Sequence, residues 1–157
     1  MDMNFLITAL PMDAFQELMF KNDEELKAFH AKWVIVDVEA GYPCRVSLVD
    51  AKIGERVLVL PFCHHDVDSP YQSSGPIFVR EKAKMAKLGI NEVPKILLHR
   101  SLSIRAYDAN KLMIQAEVLQ GGELKAAIGR FFCDSDIEYL QIHNATSGCF
   151  NCSVFRI

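Results

Sequence analysis

Cys149 and His143 flank a short turn, Asn144–Gly148, between two apolar segments near the end of the chain. Placing Ile142 opposite Phe150 and Leu140 opposite Cys152 makes one face of that hairpin apolar. The same register sets His143 across from Cys149 and Gln141 across from Asn151. A thiolate needs a nearby cation or base to form at neutral pH, and a cross-strand imidazole supplies one. Cys149 and His143 are therefore the candidate catalytic pair, with Asn144 or Asn151 to orient the ring and Gly148 to open the backbone to a substrate. The plainer reading is an inert cross-strand neighbour pair of the kind every sheet contains.

A second concentration of reactive side chains lies in Arg56–Glu81, where an apolar strand, a polar loop and a second short strand follow one another. Cys63, His64, His65 and Asp66 are metal-friendly types. Adjacent histidines, however, rarely ligate one ion from a regular backbone, and the two spaced ligand pairs of a zinc site are missing. No metal and no cofactor is expected, and the plainer reading is a solvated loop. His65, Ser69, Tyr71 and Ser73 make the 63–75 loop rich in polar groups and short of bulk, as ligand-binding loops are and as ordinary Ω-loops also are. Arg45, Arg80 and Arg105 stand singly beside apolar strands. A guanidinium fork suits a carboxylate or phosphate, so Arg105 joins the candidate ligand-binding residues; an ordinary ion pair with an acidic side chain is the alternative. Cys149 and Cys152 spell CxxC but fall within a strand, where residues three apart point to opposite faces, so Cys152 reads as a small core residue.

The elements that must position these groups are legible in part. Asn4–Leu10 and Trp33–Val38 read as strands, and Asp13 with Gln16 and Asn22 with Glu25 are capping boxes for two short helices. Val57–Phe62 is a strand covered on both faces, with Pro61 marking an unpaired edge. Val93–His99 is a short helix with Pro94 in its first turn. Leu102, Ile104 and Ala106 share one strand face, as do Leu112, Ile114, Ala116 and Val118. Pairing like with like sets Ala106 opposite Leu112 around a loop at Asp108–Asn110, with Asn110 left-handed. Leu124, Ala127, Ile128 and Phe131 form one stripe of an amphipathic helix over 122–132. The expected fold is α+β: a mainly antiparallel sheet built from hairpins, that helix packed on it and short N-terminal helices, all in a single domain over 1–157.

Bulk properties exclude several function classes. A net charge of −3 gives no footprint for nucleic acid. No apolar run approaches the ~20 residues of a membrane span. The start MDMNFLITALPMD lacks the basic region of a secretory signal. Five irregularly spaced cysteines suit reduced thiols and a cytoplasmic location.

The stretches SPYQSSGPIFVRE, YPCRVSLVDAKIGERVLVL, SIRAYDANKLM and YLQIHNATSGCF resemble the bacterial family designated domain of unknown function 1203. The resemblance implies a small soluble bacterial protein of about this length and brings no activity or cofactor; Cys152 departs from a pattern that carries a small residue there. The functional expectation is a domain that binds or acts on a small molecule where loop 63–75 meets hairpin 138–157. The alternative is a non-enzymatic interaction domain that forms a homodimer through a sheet edge or apolar patch.

Overall fold

Two antiparallel sheets, each with its own apolar core, make up the α+β architecture. In the computed structural model, which describes residues 3–157, the larger sheet has the order β1-β8-β7-β5-β6 and the smaller the order β2-β3-β4. The strands of the larger sheet are β1 (Phe5–Thr8), β5 (Ser101–Tyr107), β6 (Met113–Gln120), β7 (Tyr139–Asn144) and β8 (Phe150–Arg156). Leu102, Ile104, Ala106, Leu140, Ile142, Cys152 and Val154 form its apolar face, and α3 (Leu124–Phe132) covers it with Leu124, Ala127, Ile128 and Phe131. That is the stripe the sequence spacing predicts, and each such large side chain contributes about 1.5–3 kcal/mol when fully buried. Gly121 precedes the helix because a Cβ there would meet the Leu97 carbonyl oxygen at 1.8 Å.

The smaller sheet comprises β2 (Lys32–Ile35), β3 (Arg56–His65) and β4 (Ser73–Arg80). Phe15, Met19, Leu26, Leu58, Leu60, Ile77 and Val79 pack together beneath it. Asn22 caps α1 (Asp23–Leu26) reciprocally: its side chain accepts from the Glu25 N–H at 2.9 Å, and Glu25 accepts from the Asn22 N–H at 3.2 Å. The box expected at Asp13 does not form, because Pro11 takes the cap position and the segment folds as 3-10 turns at Met12–Ala14 and Leu18–Phe20. β2 begins at Lys32 opposite Val59, which leaves the edge beside Pro61 unpaired, while Pro61 itself faces Pro76 on β4. α2 (Lys95–Leu98) has Pro94 at its cap.

Three expectations need correction. His64 and His65 belong to β3, continued past a bulge, so the loop shrinks to 66–72. Ala106 faces Gln115 and not Leu112, because the Asp108 carboxylate accepts from the N–H groups of Asn110 and Leu112 and lengthens the turn; Lys111, not Asn110, is left-handed. Ala116 and Val118 therefore share a side with Arg105, away from α3, a bulge at Ile114 breaks the row before Leu112, and all four residues are exposed. In the terminal hairpin Ile142 faces Cys152 and Leu140 faces Val154. A bulge at Asn151 then sets His143 opposite Phe150, so Cys149 is not its cross-strand partner.

Candidate functional site

The side of the larger sheet that faces away from α3 meets the end of β3, and the seam between them is polar and aromatic. Arg45 lies at one end. Its backbone is clamped between two segments, with its N–H donating to Phe78 and its carbonyl accepting from Leu10. The side chain is 0% exposed. Its Nε donates to the Phe150 carbonyl at 2.6 Å, Nη1 donates to the Pro43 carbonyl, and Nη2 lies 3.1 Å from Cys149 Sγ. Among the described residues no carboxylate stands within ion-pair distance of it.

Cys149 is half-buried at the mouth of the β7–β8 turn, where Gly148 takes the positive φ of +81°. Its Sγ also contacts Ser147 Oγ at 2.9 Å and receives the Asn144 amide at 3.3 Å. Asn151, freed from the ladder by its bulge, donates to Asn144 Oδ1 at 2.7 Å, which turns the amide N–H toward sulfur. Burial alone would raise the thiol pKa; the Ser147 hydroxyl, the Arg45 charge and the hydrogen bonds from Asn144 and Arg45 outweigh it, so Cys149 sits below the ordinary thiol value. Burial lowers the pKa of Arg45 while the neighbouring thiolate holds it up.

His143 makes no hydrogen bond to this thiol. Its Nδ1 faces the Gly148 carbonyl at 2.9 Å and its Nε2 faces Gln141 Oε1 at 3.0 Å. Burial, then the charges of Arg105, His64 and Arg45, push it down to about 3 against the opposing Gly148 hydrogen bond, so the ring is neutral at pH 7 and its single N–H can donate to only one of these two oxygens. His64 Nδ1 meets the same Gln141 oxygen at 3.1 Å, the Gln141 amide donates back to the His64 carbonyl, and the His64 ring stacks on Phe150.

The remaining sequence-predicted residues fall into two groups. His65 is satisfied internally: it donates to the Tyr71 carbonyl at 2.7 Å and accepts from the Tyr139 hydroxyl, with its ring against Tyr107. Ser69 donates to the Lys111 carbonyl and accepts from the Tyr71 N–H, closing the 66–72 loop. Ser73 pairs with His65 in the β3–β4 ladder, and Tyr71 is exposed beside Tyr107. Arg105 is half-buried on the seam side of β5. Arg80 takes the plain role of an ion pair, with Glu55 at 2.7 Å. Cys152 lies in the α3-side core, where burial raises its thiol to about 12 against the Arg45 charge that also reaches Cys149. Among the described residues all five cysteines are free and no group of three or more His, Cys, Asp or Glu is arranged to hold a metal.

A polar cavity of about 350 Å³ opens beside the thiol, lined by Pro43, Arg100, Ser101, Asn144, Thr146 and Ser147. Arg100 is held there by Asp50 at 2.6 Å. A larger cavity of about 460 Å³ is lined by Met3, Phe132, Cys133, Ser135 and Arg156, none of which touches Cys149. Arg45, Asn144 and Gln141 complete the cluster, and no local pattern reveals Arg45 as the thiol's partner across 104 residues of chain.

No helix among the described residues is long and apolar enough to cross a membrane. Comparison with curated proteins and with solved structures finds no match. The profile of one family matches residues 41–156, which include Arg45, the whole seam and the Cys149 turn, and the chain belongs to that family, Protein of unknown function (DUF1203).

Proposed function

We propose that the protein binds or acts on a small molecule through a Cys149 thiolate held by the buried guanidinium of Arg45. One observation carries this reading: a fully buried arginine has no carboxylate partner among the described residues, and the one ionisable side chain that it hydrogen-bonds is a thiol. Burying an uncompensated charge costs several kcal/mol, and a thiolate at 3.1 Å supplies the compensating charge. The polar cavity is lined by Ser147 and Asn144, the two residues that also contact the sulfur, and is where a small polar electrophile would dock. Activation is static, from a fixed charge and three hydrogen-bond donors. Attack on a centre whose leaving group departs without a proton from the protein suits this arrangement. A reducing, cytoplasmic setting keeps such a thiol available.

The test is alkylation by iodoacetamide across pH, read by mass spectrometry at each cysteine, in a Cys133→Ser background that removes the exposed thiol. Cys149 is expected to react with a midpoint below the ~8.5 of a free cysteine. Ser147→Ala should move the midpoint up, and Arg45→Met should move it further. A native Cys149 that is unreactive, or that titrates at the free value, overturns the reading.

A second reading, protein contact through a sheet edge, is favoured by one feature. β6 is an edge strand whose outward row includes Ile114, 43% exposed, and Val118, 66% exposed. Self-association through it would be abolished by Val118→Glu in sedimentation, and a monomer at high concentration would dismiss the homodimer.

A further inference from the structure

Arg105 is the one arginine that binds neither a carboxylate nor a backbone carbonyl among the described residues. Glu81, Glu55, Asp50 and Glu117 hold Arg56, Arg80, Arg100 and Arg130, and backbone carbonyls hold Arg45 and Arg156. Arg105 donates only from Nε, to Ser103 Oγ at 3.2 Å, so both terminal amino groups lack a protein partner there. Its neighbours explain this. Ala116, opposite on β6, has no polar side chain, and Gln141, opposite on β7, gives its amide to His64 and His143.

The surrounding charge is of one sign. From β3 the side chain of His64 faces this stretch, with His65 beside it; from β7 come Gln141 and His143; from β5 come Ser103 and Tyr107. None of them is a carboxylate. His64 uses Nδ1 on Gln141, and its Nε2 has no partner among the described residues. A half-buried guanidinium with both terminal nitrogens open is a fork for two oxygens of one anion, and it stands here with no internal acid to occupy it.

We propose that Arg105, with Ser103 and the Nε2 edge of His64 beside it, binds the anionic group of a small molecule, a carboxylate or a phosphate, where the seam opens onto the exposed side of β6. This goes beyond the thiol reading and does not depend on it. An oxyanion there also favours the protonated form of His64, whose Nε2 then becomes a donor, so binding and protonation reinforce each other.

Histidine side-chain NMR at constant ionic strength tests the assignment, with sodium phosphate, sodium acetate and sodium chloride as the probes. Phosphate or acetate should displace the His64 signals saturably and raise the titration midpoint of that ring, while chloride should not. Saturation by phosphate alone assigns a phosphate ligand, and saturation by acetate a carboxylate. Arg105→Gln should abolish the response, and Arg105→Lys, which keeps the charge and loses the fork, should weaken it several-fold. If Arg105→Gln does not fold, Arg105→Lys decides: undiminished binding overturns the proposal, as does a response that merely follows ionic strength. Performing the titration in Cys149→Ser keeps the outcome separate from that of the thiol.

Discussion

Leu140 and Gln141 are neighbours on β7, equally inaccessible, and they belong to different kinds of interior. Leu140 faces α3 across a core in which no side chain has a hydrogen bond to make. Gln141 faces the seam, where one amide serves two imidazoles and a backbone carbonyl. The α3 side is held by non-directional burial, so it tolerates any residue of suitable size and carries no chemistry. The seam is held by partners that must each be present, and polar interiors of that kind concentrate perturbed protonation and charge. One sheet thus buries an apolar core on one face and a hydrogen-bonded polar seam on the other.

The contrast is tested most forcefully by truncating the first residue. Leu140→Ala should cost about 2–5 kcal/mol in denaturant unfolding, through lost transfer energy and a cavity. Gln141→Leu, with nearly the same volume, should still cost about 1–3 kcal/mol, because His64, His143 and a buried carbonyl lose their partner. If Gln141→Leu were neutral or stabilising, the seam would be an ordinary core with incidental polarity.

Acid should separate the faces next. His143 has a folded value of about 3, whereas an unfolded histidine titrates near ~6.5. Between those values the unfolded chain holds a proton that the folded one does not, so stability rises with pH and is lost as pH falls from ~6.5 toward 3. The loss should be about 1.4 kcal/mol for each pH unit in that window. His64, lowered by burial and by its positive neighbours, acts in the same direction. Unfolding measured from pH 7 to pH 4 should show a shallower slope in His143→Gln than in the parent, and identical slopes would mean that His143 is not buried neutral.

The two faces also differed in how far they could be read from the sequence. The α3 stripe, the Leu102–Ala106 row and the Asn22 cap rest on spacing within a few residues, and all three are present as expected. Registers were less legible, because each turned on one local device. The Asp108 carboxylate stretched one turn, and the Asn151 bulge slid Phe150 onto the seam. The apolar spacing of Leu112–Val118 reads as a core face, but a bulge interrupts it and its side chains are exposed on an edge strand. Pairing of Arg45 with Cys149 was not legible at all, since a contact between distant segments leaves no periodicity. His143 and Cys149 do lie in one neighbourhood, but the charge that reaches sulfur comes from elsewhere.

The smallest expected effect tests how finely the seam is tuned, and it concerns a residue that never touches sulfur. Asn151 donates to Asn144 Oδ1, and that bond fixes which end of the Asn144 amide faces Cys149. Asn151→Ala removes the restraint, so the amide samples both orientations and the thiolate loses part of one donor. A net hydrogen bond of about 0.5–1.5 kcal/mol corresponds to roughly half to one pH unit, and the rise in the Cys149 midpoint should fall at or below that. Asn151→Asp should act more strongly in the same direction. Its carboxylate only accepts, so Asn144 must turn its N–H toward Asp and present its oxygen to sulfur, and the added negative charge opposes the thiolate as well. An order of parent, then Asn151→Ala, then Asn151→Asp in rising alkylation midpoint is expected, with fold and secondary structure retained. Equal midpoints would mean that Arg45 and Ser147 alone set the thiol, and that the Asn151 bulge serves only to bring Phe150 across to His64.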